Sequence, residues 1–270
     1  MERAFGRICF HFALTWLLTL VLPCAAQTAT QSELTLKVSE RTRPVAVAVD
    51  ELAHRHGWLL CYEDQIYQFS GDKEDLTAHI SQSKGAQLKP ETKRFIGPRR
   101  GNLRVDYRTP ADPIRVLRQV VVEHANATGS LFEVRKMGNR VVVVPSKAKD
   151  KSGNLVPQTP LLDTPININE MERDSAETVE EIAKALTLAS GVKVNVGVGL
   201  AIVDGTTMRF SAVNEPARDV LIRFLNNVPR GGRIVWIVYY GPNEGEYSLN
   251  FDYIAPKSEM PSTTSVSPRE

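Results

Sequence analysis

The sequence predicts an α+β protein built from two tandem βαββαββ units, over residues 34–146 and 166–255. Three observations predict it. Four segments carry apolar residues at helical spacing, the segments between them alternate with period two, and the order of segments repeats once along the chain. The copies match locally: His56-Gly57-Trp58 parallels Ser190-Gly191-Val192, and Val116-Leu117-Arg118 parallels Val220-Leu221-Ile222. In each unit two helices are expected to pack on that unit's own small sheet.

The chain of 270 residues opens with Arg3 and Arg7, then an uncharged stretch from Ile8 to Leu22, then Pro23-Cys24-Ala25-Ala26. A basic start, a short apolar core and small residues at −3 and −1 are what a signal peptidase reads. Residues 1–26 are therefore expected to be an export signal cleaved after Ala26, which makes the location periplasmic or secreted. A transmembrane anchor needs about 20 apolar residues; this core is shorter and holds His11. Lipoprotein processing at Cys24 would need a small residue in front of it, where Pro23 stands. No later stretch is long and apolar enough to span, so no integral span is expected after processing.

In the first unit Leu34 to Val38 reads as a strand. Pro44 opens a helix with Val45, Ala48, Val49 and Leu52 inward, and Gly57 ends it. Trp58 to Tyr62 is a strand, and Leu103, Val105 and Tyr107 alternate in another. Asp112 caps a helix with Pro113 at its first position and Ile114, Leu117, Val120 and Val121 on its apolar side. Leu131–Arg135 and Arg140–Val144 form a hairpin about Gly138-Asn139. An insertion near 65–101 makes this stretch longer than its counterpart in the second copy. From Lys84 to Arg104 it is basic, with Lys84, Lys89, Lys93, Arg94, Arg99, Arg100 and Arg104 against Glu91.

Residues 147–165, with lysines and several prolines, read as an extended linker. In the second unit Ile166 to Ile168 is a strand. Asp174 with Glu177 makes a capping box, Val179, Ile182, Ala183 and Leu186 form the helix face, and Gly191 closes it. Val192–Val198 and the alternating Met208, Phe210 and Ala212 are strands. Pro216 opens a helix that buries Ala217, Val220, Leu221, Phe224 and Leu225. Arg233–Tyr240 and the alternating Tyr247, Leu249, Phe251 and Tyr253 complete the unit. Residues 256–270, rich in Ser, Thr and Pro, read as a disordered tail.

The second unit resembles the secretin and TonB short N-terminal (STN) domain, a periplasmic module. The resemblance rests on Ala176–Leu186, Gly191–Val196, Met208–Val213 and Pro216–Leu225. It implies helices packed on small sheets, protein contacts within the envelope and no catalytic residues. The arrangement as a whole is similar to exported proteins of Gram-negative bacteria. The chain departs from the family pattern in carrying no outer-membrane barrel or secretin body.

Chemistry-bearing patterns are sparse. His54 and His56 stand two apart near a helix end, where they point to different faces. The acids Glu63-Asp64 and Asp72, Glu74, Asp75 flank a turn and a short helix, as caps and dipole partners do. Cys61, in the run Trp58–Tyr62, is the one cysteine after the signal, and it reads as a small buried hydrophobe. No metal, cofactor or catalytic constellation is expected. A formal charge of +2 implies no bulk pull on nucleic acid, and no nucleic-acid partner is expected of an exported chain without a base-stacking platform.

Two contact surfaces remain. Lys93, Arg94, Arg99 and Arg100 could meet an anionic partner, such as an envelope protein or a cell-wall component. The nearly apolar strand holding Trp236, Tyr239 and Tyr240 could meet a partner or the other unit. The expected function is a non-catalytic, exported protein-interaction module. The alternative is a small-ligand or polysaccharide-binding protein with its site between the units, and a hydrolase comes third.

Overall fold

The computed structural model describes residues 32–79, 94–203, 205–241 and 245–256. The expected export signal, Lys84, Lys89, Lys93 and the expected tail beyond Pro256 lie outside the described residues. The class is α+β, and the βαββαββ order holds in each half.

The first half runs β1 (Ser32–Thr42), α1 (Pro44–His56), β2 (Leu60–Glu63), β5 (Arg100–Thr109), α2 (Pro113–Thr128), β6 (Leu131–Met137) and β7 (Arg140–Lys149). Inside the insertion, β3 (Lys73–Asp75) pairs with β4 (Ile96–Pro98). The second half runs β9 (Pro165–Asp174), α3 (Ser175–Ser190), β10 (Val194–Val196), a single helical turn over Leu200–Val203, β11 (Thr207–Pro216), α4 (Ala217–Asn227), β12 (Ile234–Gly241) and β13 (Glu246–Tyr253). Helix boundaries follow local chemistry. Asp112 accepts from the Ile114 amide at 3.1 Å, and Asp174 and Glu177 form the reciprocal capping box. Gly57 and Gly191 end α1 and α3 at φ 68° and 70°, where a Cβ would be strained.

Each half has two layers of strand. β1 and β5 form an antiparallel ladder, with Leu36 opposite Val105, and β9 and β11 form its counterpart. α1 touches β1, β5 and β2, so it lies between the ladder and the main sheet. The main triplets are β2-β7-β6 and β10-β13-β12. They superpose residue for residue in register: Leu60 faces Val141 as Val194 faces Tyr247, and Tyr62 faces Val143 as Val196 faces Leu249.

The two triplets are not separate sheets, which corrects the expectation of one sheet per unit. They form one continuous sheet in the order β10-β13-β12-β2-β7-β6, joined where β12 runs parallel to β2. Ile237 pairs with Tyr62 and Val238 with Glu63, and the Asp64 amide donates to the Val238 carbonyl at 2.8 Å. Lateral order is the same in both triplets but strand sense is reversed. With the same crossover hand in both halves, that relation is a half turn about an axis across the strands. It exchanges the faces of the sheet, so α1 and α2 cover one face and α3 and α4 the other. Contacts agree. Arg43, beside α1, lies over the Tyr239 ring at 5.0 Å, while Arg218 of α4 reaches Glu63 from the opposite side. Covered on both faces, the centre reads as continuous apolar sequence: Val141 to Val144 are all buried, as are Val235, Trp236 and Val238.

The expected linker is also corrected. Lys147–Lys149 belong to β7, and β8 (Leu155–Pro157) folds back on them. Leu161 and Leu162 are buried, with Leu162 fully inaccessible. Prolines hold this segment extended while the Leu pair anchors it in the core. No helix among the described residues is long and apolar enough to cross a membrane.

Candidate functional site

The end of β2 and the residue after it deliver two acids into the interior, Glu63 and Asp64, both fully buried. This corrects their reading as turn acids. A buried carboxylate is stable only when paired and hydrogen-bonded, and each has its own cation. Asp64 accepts from Arg43 Nε at 2.6 Å, from the hydroxyls of Tyr62 and Tyr67 at 2.8 and 2.7 Å, and from the amides of Gln65 and Tyr240 at 3.1 and 3.2 Å. Arg43 also donates to the Tyr240 carbonyl at 2.6 Å. It does so from a left-handed backbone, φ 54° and ψ 59°, which a non-glycine residue adopts only when its surroundings hold it there. Asp64 and Arg43 thus clamp the β2–β12 junction.

Glu63 pairs with Arg218 at 3.0 Å and accepts the Leu161 amide. Burial, opposed by Arg218, pushes its carboxyl up to about 7. Arg218 also bonds Asp163 at 2.8 Å, and Asp163 takes Arg135 of β6 at 2.7 Å. Together these ion pairs tie β2, the 161–163 turn, α4 and β6 into one network.

Beside Arg43 the first half opens into a cavity of about 330 Å³. Tyr67 and Phe69 give it aromatic walls, and Gln65, Ser130, His124 and Lys149 give it polar ones. Among the described residues, Gln65 Oε1 and Ser130 Oγ have no hydrogen-bond partner, although Gln65 is 4% exposed and Ser130 0%. Leaving such atoms unmet costs about 1–3 kcal/mol each, so they mark where a ligand's polar groups would be received. Lys149 is held by Asp72 at 2.9 Å, over the Phe69 ring. Burial pushes His124 down to about 4, so its ring is neutral at pH 7. No hydrogen bond joins His124 to Ser130, and that bond is the geometry a base needs to activate a hydroxyl.

The surfaces singled out in the sequence are placed as follows. Arg99 is exposed at the cavity mouth and makes no ion pair among the described residues. Arg100 is half-buried and spends its guanidinium on Glu74 at 2.9 Å. Arg94 is exposed, 4.0 Å from Asp75, and Lys93 lies outside the described residues. Trp236 is fully buried, and Tyr239 and Tyr240 are half-buried at the junction with the first half. The cavity is lined only by residues from Arg43 to Lys149, so it lies inside the first half.

Two further groups are structural. Burial pushes the Cys61 thiol up to about 12, which leaves it unreactive. His54 stands between Asp50 and Asp252 at 3.5 and 3.4 Å on the surface, linking α1 to β13.

Sequence reasoning missed Gln65, Ser130 and Asp64. Only the acid of Asp64 is visible in sequence, and its distant cation is not. Comparison with family models, with curated proteins and with solved structures finds no match to this chain.

Proposed function

We propose that the chain is an exported, non-catalytic interaction module of the cell envelope, which receives an acidic group of an envelope component in the first-half cavity. One observation carries the reading: Gln65 Oε1 and Ser130 Oγ, two buried polar atoms without a hydrogen-bond partner among the described residues, line a cavity with the cation Arg99 at its mouth. An acceptor that needs a donor, a hydroxyl and an exposed guanidinium together suit a hydroxylated carboxylate, such as an acidic sugar of a surface glycan. The helix, glycine, strand, strand, helix order around Gly191 supports the STN resemblance and hence contacts within the envelope. A second reading, capture of a free small acid, is favoured by the modest volume of the cavity.

Titration calorimetry of the processed chain with glucuronate and with glucose tests the proposal. Glucuronate is expected to bind, glucose to bind at least about tenfold more weakly, and Arg99→Glu to lose about tenfold in glucuronate affinity. Equal binding of both sugars, or no effect of the charge reversal, overturns it.

A further inference from the structure

The junction inside the molecule uses two different strand edges: the outer edge of β12 in the second half and that of β2 in the first. β12 is the counterpart of β6, and β2 is the counterpart of β10. The same two kinds of edge therefore recur at the ends of the sheet, where β10 and β6 are the terminal strands. Among the described residues no strand pairs with their outer sides, although Thr187 Oγ1 accepts from the outward Val194 amide of β10 at 3.0 Å; β8 lies against β7 instead.

We infer that a second copy of this chain docks its β10, in parallel, along the β6 edge of the first, repeating the internal β12–β2 junction. The register follows from the internal repeat. Counting back from each hairpin, Ile237 and Val238 correspond to Glu133 and Val134, and Tyr62 and Glu63 correspond to Val196 and Gly197. Pairs of Ile237 with Tyr62 and Val238 with Glu63 inside the chain become Glu133 with Val196 and Val134 with Gly197 between chains. Strand sense is compatible. β6 and β10 run the same way in the continuous sheet, so a parallel pair is reached by translating and twisting one copy onto the next. The edges suit it: Glu133 and Gly197 are exposed, and Val134 and Val196 are half-buried.

This interface is heterologous. Each copy offers one edge of each kind, so it extends to a ring or a filament and does not stop at a symmetric dimer. It is weaker than the internal junction. Val198, the counterpart of Asp64, has its amide already held by Asn250 Oδ1 at 3.0 Å, and Val198 offers no carboxylate to clamp the pair. Glu133, Arg135 and Lys136 on the β6 edge also disfavour indiscriminate strand addition. The association is reversible and visible only at high concentration.

Sedimentation velocity of the processed chain from about 5 to about 500 µM tests it, a range that brackets a dissociation constant near 100 µM. The weight-average mass is expected to at least double over that range. Val134→Pro and Val196→Pro each remove an outward-facing amide, a position where an edge strand tolerates proline. Each variant alone is expected to stay monomeric, while an equimolar mixture forms a dimer, because one intact β6 then meets one intact β10. Circular dichroism confirms that both variants are folded. A wild-type chain that stays monomeric throughout overturns the inference. So does a Val134→Pro chain that still self-associates, which would place the contact elsewhere or make it symmetric.

Discussion

Asp64→Ala is expected to lower the unfolding free energy by about 4 kcal/mol. The carboxylate is fully buried and meets five donors, two of them tyrosine hydroxyls and two of them backbone amides. Alanine leaves Arg43 charged, partly buried and without its counter-ion, and it orphans the Tyr62 and Tyr67 hydroxyls at the same time. Asp64→Asn keeps the volume and one acceptor oxygen but not the charge, and it should recover less than half of the loss. Urea unfolding of the three proteins measures the differences. A loss under about 1 kcal/mol for alanine would place this pair among solvated ion pairs, which are worth that little.

The second large effect has a different signature. Arg218→Ala is expected to cost about 3–5 kcal/mol, because it strands the buried Glu63 carboxylate beside the Leu161 amide. Replacing both partners, Glu63→Leu with Arg218→Met, is expected to return most of that loss. Two buried charges cost several kcal/mol in desolvation, and apolar side chains of similar volume carry no such penalty. Among the described residues Arg218 Nη1 has no hydrogen-bond partner, so the wild-type pair is itself incompletely satisfied. Asp163 keeps Arg135 in the double variant. Equilibrium unfolding of the two singles and the double gives the coupling directly. A double variant no better than Arg218→Ala would contradict the desolvation argument.

Local chemistry made the helices legible. Asp174 and Glu177 name the start of α3, Asp112 and Pro113 the start of α2, and Gly57 and Gly191 the ends of α1 and α3. Each signal acts within a few residues, so one sequence suffices to read it. The repeat was legible for the same reason, as local elements in a fixed order. The joining of the halves was legible only in part: the apolar run holding Trp236, Tyr239 and Tyr240 pointed to a partner or the other unit, but not to β2 as its mate. It is made by backbone groups of Tyr62–Asp64 against Ile237–Val238, and main-chain pairing leaves no compositional mark. Glu63 and Asp64 misled because a buried acid and a turn acid look alike until their cations are placed. Arg43 is 21 residues from Asp64, and Arg218 is 155 from Glu63. The 147–165 segment misled because prolines signal extended chain, whether packed or free; Leu161-Leu162 was the available warning. The cavity had no sequence signature, since Gln65 and Ser130 become informative only once their neighbours fail to satisfy them.

Native-state amide exchange of the whole chain tests the shared sheet most directly. The Asp64 amide and those of Leu60–Glu63, Val141–Val144 and Val235–Val238 should exchange only through global unfolding, with one common free energy for both halves. Two distinct opening free energies, one for each half, with the Asp64 amide exchanging at loop rates, would contradict a single sheet.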